Sequence, residues 1–313
     1  MTKAPPARLD DLVARARQLP KIASAIAHPC DPASIEGACE AARLGFIDPV
    51  LVGPEAKIRA AAQTAKADIS NFRLVPAPHS HAAAAQAVAM VREGQAQVLV
   101  KGSLHTDELM SAVVDAATGL RTERRISHVF VIDLAAYPRL LLITDAAVNI
   151  APTLEEKRDI VQNAIDLAQA IGVERPKIAI VSAVETVTSK LKSTIDAAAL
   201  CKMADRRQIT GGDLEGPLAF DNAVNLEAAK DKQIGGNVAG QADVIVVPDL
   251  EAGNMLAKQL TFLAGAESAG IVLGARAPIA LTSRADSVEA RVASYALSAL
   301  LVDKRRRDKP VAG

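Results

Sequence analysis

Residues Ala277-Pro-Ile-Ala-Leu-Thr-Ser-Arg-Ala-Asp-Ser-Val-Glu-Ala-Arg-Val-Ala-Ser-Tyr-Ala-Leu297 read as a strand that becomes a helix through a polar junction. Ile279 to Leu281 form a short apolar run. Thr282, Ser283, Arg284, Asp286 and Ser287 break it, and Val288, Val292, Ala296 and Leu300 then recur at helical spacing. A strand that feeds a helix is one half of a β-α-β unit, so this stretch points to an α/β protein. In open α/β sheets ligands sit beyond the carboxyl ends of strands. Ser283 and Arg284 at such an end, backed by helix N-terminal N–H groups, have the chemistry to hold an anion. A plainer reading stands beside it: Ser283 or Asp286 caps the last helix, since Asp286-x-x-Glu289 has capping-box spacing.

The rest of the 313-residue chain repeats the pattern. Strands are expected at Ile22–Ala27, Pro49–Gly53, Phe72–Val75, Ala96–Val100, Lys177–Val181, Val244–Val247 and Ile271–Leu273. Helices fall between them. Pro32 suits the first turn of one helix, and Leu44-Gly45 suits its end. Thr153-x-x-Glu156 is a capping box for a long helix reaching Ile171. Glu215-Gly-Pro217 reads as the start of a helix ending near Ala229, and Gly253-Asn254 as the start of another. His128–Leu134 and Arg139–Thr144 are separated by four residues, which permits only an antiparallel pair. That hairpin separates two blocks of β-α alternation, so two α/β lobes are expected, with a cleft between them.

Composition narrows the function. Hydrophobic residues make up 50% of the chain and aromatics 2%, with no Trp, so Ala, Val, Ile and Leu must build the core. Lys plus Arg and Asp plus Glu both number 36, and this zero balance argues against bulk electrostatic binding of nucleic acid. Lys304-Arg-Arg-Arg307 follows the last expected helix and complements its C-terminal dipole. The three cysteines, Cys30, Cys39 and Cys201, form no C-x-x-C pair, which favours free thiols in a reducing compartment. No signal-peptide core occurs at the N-terminus, and no stretch approaches the roughly 18 apolar residues of a membrane span. A soluble, cytoplasmic protein is expected, with neither nucleic acid nor membrane as partner.

Several chemistries lack their residues. There is no G-x-x-x-x-G-K-S/T loop and no G-x-G-x-x-G after the first strand. Gly211-Gly212 and Gly235-Gly236 read as turns. His79 and His81 have no carboxylate cluster beside them and read as surface or helix-start histidines. Ser283 is not in a G-x-S-x-G elbow, and no cysteine sits in a nucleophile context. A direct, non-covalent role for Ser283 is favoured. His105, Asp145, Asn149 and Asp249 each fall just after a strand and are candidates to line a site; turn formation or capping is the alternative for each.

Leu281-Thr-Ser-Arg-Ala-Asp-Ser287, with Glu289, Arg291 and Ser294-Tyr-Ala-Leu297, resembles the C-terminal motif of the phosphate acetyltransferase and phosphate butyryltransferase family. Leu99-Val-Lys-Gly-Ser103 with His105 is similar to its first-domain motif, and Leu142–Pro152 to its interdomain segment. Ser182-Ala-Val-Glu185 with Ser193-Thr194, Gly216–Ala223 and Pro248–Asn254 match further blocks. All stand in one order over about residues 10–302.

The resemblance implies a two-domain, three-layer αβα sandwich like isocitrate and isopropylmalate dehydrogenases, with an interdomain cleft. Domain I would comprise residues 1–146 and 270–313, and domain II residues 147–269. It implies a homodimer that binds acyl-CoA and phosphate or acyl phosphate, with coenzyme A as substrate, no tightly bound cofactor and no metal. The implied reaction is reversible transfer of a short acyl group, acetyl or butyryl, between coenzyme A and inorganic phosphate by direct attack in a ternary complex.

By analogy with the family, Ser283 acts near the carbonyl and sulfur, and Arg284 holds anionic oxygens. Ser103, His105, Arg121, Asp145, Asn149, Asp249 and Asn254 are the substrate-binding candidates. The acetyltransferase pattern carries an Asp seven residues after the Ser, where this chain has Ala290; Asp286 and Glu289 are the nearby acids. The Ser-Arg-Ala-Asp form is more similar to the butyryltransferase branch. A first-domain arginine of the family pattern is also replaced near Met110, and Arg121 is an alternative phosphate contact. The missing acid motivates a second reading, a coenzyme A- or anion-binding regulatory module without catalysis. A nucleotide-dependent decarboxylating dehydrogenase on the same fold is a third, weakened by the absence of an acidic metal cluster.

Overall fold

A computed structural model describes residues 8–283 and 286–308. The chain divides into two compact units. One holds Leu9–Arg124 and the chain from Ala269 on; the other holds 125–268 with Arg8. The division therefore falls at Arg124, not at residue 146. The hairpin β5 (Ser127–Asp133) and β6 (Leu141–Thr144) goes with the second unit. β6 pairs in parallel with β9 (Val244–Val246), which ties the hairpin to the later chain.

In the first unit the strands are β1 (Ile22–Ala27), β2 (Ile47–Gly53), β3 (Arg73–Pro76), β4 (Val98–Lys101), β10 (Glu267–Leu273) and β11 (Ile279–Ala280). They lie in the order β3-β2-β1-β4-β11-β10. All neighbours are parallel except β10 against β11. β1, β2 and β3 step outward in one direction, and β4 then returns to the other side of β1. The strand order thus reverses between β1 and β4, which is the position where open α/β sheets place ligands. β11 runs parallel to β4, so the chain leaving β11 at Leu281–Ser283 emerges on the same edge.

Sequence chemistry accounts for the helices of this unit: α1 (Leu9–Ala16), α2 (Pro32–Leu44), α3 (Glu55–Ala65), α4 (Ser80–Arg92), α5 (Thr106–Val114) and α11 (Val288–Asp308). Asp31 caps α2 by accepting the Ser34 N–H at 2.9 Å. Pro32 occupies the first turn, and Gly45 closes the helix with φ 93°. His79 caps α4 through Nδ1, which accepts the Ala82 N–H at 3.2 Å, so it is a helix-start histidine.

The single apolar stripe expected of α11 is exceeded. Every residue from Arg291 to Val302 is buried, as in a helix covered on all sides. Ala296 and Ala299 of α11 join Ala38 and Ala41 of α2 in one core with Ile26, Ile35, Phe46 and Leu51. Small side chains let these helices approach closely, and each large buried aliphatic or Phe contributes roughly 1.5–3 kcal/mol. Lys304–Arg307 do not follow the helix but form its last turns. Arg307 pairs with Asp303 at 3.0 Å and Lys304 with Asp308.

The second unit orders its strands β5-β6-β9-β7-β8, with β7 at Lys177–Val181 and β8 at Asp213–Leu218. Its helices are α6 (Leu154–Ala170), α7 (Lys192–Asp205), α8 (Phe220–Val224), α9 (Leu226–Asp231) and α10 (Leu250–Leu263). The capping box of α6 forms as expected, Thr153 and Glu156 each bonding the other's backbone N–H. The β5–β6 pair is antiparallel as expected.

Two sequence expectations fail in this unit. Glu215-Gly-Pro217 does not open a helix; it lies within β8. That strand is at the edge of the unit's sheet, where proline loses no ladder bond. Gly216 is required there, because a Cβ would stand 2.7 Å from the Ile180 carbonyl oxygen. α10 begins at Leu250, not at Gly253, because Asp249 caps it by accepting the Ala252 N–H at 2.9 Å. Among the described residues, no helix is long and apolar enough to cross a membrane.

Candidate functional site

Three loops of the first unit meet on the edge defined by the reversal between β1 and β4. His28 follows β1 with φ 55°, a left-handed conformation uncommon for a residue with a Cβ. Gly102 follows β4 and donates to the Ala27 carbonyl at 2.9 Å. A Cβ on Gly102 would stand 2.4 Å from that oxygen, so only glycine allows the approach. Ser103 then ties the two loops. Its Oγ donates to the His28 carbonyl at 2.9 Å and accepts the Cys30 N–H at 3.1 Å. Burial lowers the His28 pKa, with Lys57 adding to the effect, so the ring is held towards its neutral form. His105 is exposed at the N-terminus of α5 and makes no cap bond with its side chain.

The third loop carries Ser283. The Ser283 N–H donates to Asp286 Oδ2 at 2.6 Å. Burial raises the Asp286 pKa above its ordinary 3.8, opposed by that hydrogen bond and by the charges of Arg291 and Lys101. Arg291, on α11, reaches back. Its Nη1 donates to Thr282 Oγ1 at 2.9 Å and its Nη2 to the Ser283 carbonyl at 2.9 Å. Lys101, the last residue of β4, donates from Nζ to the Thr282 carbonyl at 3.1 Å. Ser283 itself is exposed. Arg284 lies outside the described residues.

The capping alternative is not what forms. Ser287 caps α11, its Oγ accepting the Ala290 N–H at 3.2 Å, while Asp286 is taken by Ser283. Glu289 is exposed in the first turn. Its own N–H and the Ser287 hydroxyl lower its pKa, which fits a helix-end carboxylate. Arg121 is exposed on the loop after α5. Its neighbours Leu120 and Thr122 bond Arg276 and Gly274, both between β10 and β11. Since β10 and β11 are antiparallel, that loop lies at the opposite edge of the sheet from Ser283.

The second unit gathers the other candidates at the carboxyl ends of β6 and β9. Asp145 is buried and accepts the N–H groups of Ala147 at 2.9 Å, Val148 at 3.0 Å and Asn149 at 3.1 Å. Asn149 donates to the Ile126 carbonyl at 2.8 Å and accepts Arg125 Nε at 2.6 Å. Asn254 donates to the Ala146 carbonyl at 3.1 Å, and Asp249 caps α10. These four residues build the turn and cap at that edge. Beside them, Ser182 after β7 and Ser193 on α7 share a hydrogen bond of 2.7 Å.

Other chemistry finds little support. Burial pushes the Cys30 and Cys201 thiols up to about 11, away from nucleophilic thiolates. Among the described residues no three His, Cys, Asp or Glu side chains gather as a metal site. Lys101, Thr282 and Arg291 stand in the motifs quoted from the sequence but were given no role there. The further signals were a lysine ending an apolar strand and an arginine opening the apolar body of a helix.

The chain as a whole is similar to known proteins. The profile of the family described as "Phosphate acetyl/butaryl transferase" matches residues 78–299. A phosphate acetyltransferase from Rhizobium meliloti is 62% identical, across 97% of this chain and 96% of its own. A phosphate butyryltransferase from Clostridium acetobutylicum is 40% identical, across 93% and 96%. The crystal structure of a branched-chain phosphotransacylase from Enterococcus faecalis superposes with a TM-score of 0.79. It is 31% identical and covers 90% of this chain and 99% of its own. The fold is the dehydrogenase-like α/β fold that phosphotransacylases share.

Proposed function

The chain belongs to the phosphate acetyl/butyryl transferase family, and on that premise we propose that Ser283 and Asp286 perform the acyl transfer. The enzyme is an acyltransferase that moves a short acyl group between coenzyme A and inorganic phosphate. Coenzyme A enters as a substrate. The observation that carries the assignment is the 2.6 Å contact between the Ser283 amide and the Asp286 carboxylate at the end of β11.

In the direction from acyl phosphate, the coenzyme A sulfur attacks the carbonyl carbon in a ternary complex. The C–S bond forms, the bond from carbon to the phosphate oxygen breaks, and phosphate departs. Negative charge collects on the carbonyl oxygen, and the Ser283 hydroxyl is the donor that offsets it. The thiol proton passes to Asp286, whose raised pKa suits a base. Ala290 leaves no acid seven residues after the serine, and Asp286 is the carboxylate already in contact with that serine. Arg284 binds phosphoryl oxygens in this reading.

Acetyl is the preferred group, supported by 62% identity to an acetyltransferase against 40% to a butyryltransferase. The Ser-Arg-Ala-Asp form of the motif points the other way, so the two are separated by kcat/KM for acetyl, propionyl and butyryl phosphate, followed by thioester absorbance. Acetyl is expected to lead. A butyryl preference overturns the specificity, and no thioester with any of the three overturns the activity.

The enzyme acts as a cytoplasmic homodimer in this reading. Its three cysteines are unpaired, as a reducing compartment favours. α10 exposes Met255, Phe262 and Leu263 at 58%, 71% and 85%, an apolar face that a second copy would cover.

A further inference from the structure

Two cations are buried beneath the Ser283 loop. Arg291 is 4% exposed and Lys101 5%. They come from different elements, α11 and β4, and converge on two consecutive residues. Arg291 holds the Thr282 hydroxyl and the Ser283 carbonyl; Lys101 holds the Thr282 carbonyl. The Ser283 amide is fixed by Asp286. The backbone groups flanking Ser283 are therefore set on both sides.

Such burial is expensive. Apolar replacements for buried charges are often neutral or stabilising, so stability alone gives little reason to keep two cations here. Arg291 Nε is buried and finds no acceptor among the described residues, which adds to the cost. α2 is shaped to admit the arginine: a Cβ on Gly37 would stand 3.0 Å from Arg291 Cβ and 3.1 Å from its Cδ. What the pair supplies is geometry. Displacing a reacting group by about 1 Å can cost on the order of 100-fold in rate. It also places two positive charges against one carboxylate, Asp286, on the edge where an anionic substrate and a developing oxyanion would be met.

We infer that Arg291, aided by Lys101, is the positioning residue of this site, holding Thr282–Ser283 so that Ser283 meets the acyl carbonyl. The inference rests on the assignment of Ser283 to the reaction. Arg291 acts through the loop and touches no substrate.

The test measures acetyl-CoA formation by Arg291→Met, Arg291→Lys, Lys101→Met and Ser283→Ala beside the unaltered enzyme, with melting temperature as the folding control. Arg291→Met is expected to lose about 10- to 100-fold in kcat. Its KM for coenzyme A and acetyl phosphate should stay within about two-fold, as expected when an interaction made in the transition state is lost. Arg291→Lys, which keeps the charge but not the fork, should fall between. Lys101→Met should lose less than Arg291→Met.

A kcat for Arg291→Met within two-fold of the unaltered enzyme overturns the inference. So does a raised KM at unchanged kcat, which would mark a direct binding role. If Arg291→Met does not fold, Thr282→Val removes the hydroxyl that Nη1 holds while keeping the shape. A several-fold fall in kcat sustains the inference, and an unchanged kcat overturns it. A slow Ser283→Ala beside a fast Arg291→Met refutes the positioning role alone, whereas a fast Ser283→Ala refutes the site assignment.

Discussion

The Asp286 carboxylate accepts the Ser283 backbone N–H at 2.6 Å, three residues apart at the carboxyl end of β11. The bond commits the amide, so the hydroxyl is the group through which Ser283 would act on a carbonyl oxygen. It also sets the carboxylate beside the serine, where a base is needed.

The pH dependence should carry the signature of that carboxylate. Burial, the largest influence, raises the Asp286 pKa above 3.8, while the Ser283 amide and the charges of Arg291 and Lys101 pull it down. A base works only when deprotonated. The rate of acetyl-CoA formation should therefore rise with pH through an acid limb lying above the ordinary aspartate range. Asp286→Asn should lower kcat/KM by about 100- to 10,000-fold and flatten that limb. A pH profile that keeps its acid limb in the Asn variant would assign the limb elsewhere.

Stability should depend on a separate pair. Lys157 Nζ lies 2.8 Å from Asp196 Oδ2, and both residues are 5% exposed; Lys192 adds a second contact at 2.7 Å. Burial works to raise the Asp196 pKa, but the two lysines outweigh it and hold it below 3.8. With a folded pKa below the unfolded one, the ionised pair stabilises at neutral pH, and the contribution disappears as pH falls through the folded value. Lys157→Met leaves the carboxylate with Lys192 as its remaining partner and should cost about 1–3 kcal/mol. Urea unfolding at pH 7 would measure it. A midpoint unchanged at pH 7 would remove the pair from the stability account.

The exposed face of α10 should decide the association state. Phe262→Glu places a charge in the apolar row formed with Met255 and Leu263. Sedimentation should find a dimer for the unaltered chain and a monomer for the variant. A dimer that survives the substitution would move the interface elsewhere.

Much of this fold is legible in the amino-acid order where local chemistry governs it. Ile22–Ala27 is the strand the apolar run indicates, the Thr153 capping box forms, and the four-residue link before Arg139 produces an antiparallel pair. Where tertiary contacts override local rules, the sequence misleads. Gly216-Pro217 suggests a helix start, yet an edge strand accepts both residues. Asp286-x-x-Glu289 has the spacing of a capping box, yet Ser287 makes the cap and Asp286 turns to Ser283. Arg121 is near a site only in motif order; topology sends it to the opposite edge from Ser283.

The two supporting cations stand in the quoted motifs, but their contacts were hidden for a different reason. Lys101 meets Thr282 across 181 residues of chain, a contact no spacing announces. Arg291 is composed like any surface arginine until α2 and α11 bury it. Ser283 itself was visible, because a polar junction between a strand and a helix is a local pattern.

The most direct measurement is the initial rate of acetyl-CoA formation by Ser283→Ala against the unaltered enzyme, from acetyl phosphate and coenzyme A. Loss of a donor to the developing oxyanion predicts a fall of about 100- to 1,000-fold in kcat, with an unchanged melting temperature. A variant that turns over at the rate of the unaltered enzyme would contradict the assignment of Ser283 to the reaction.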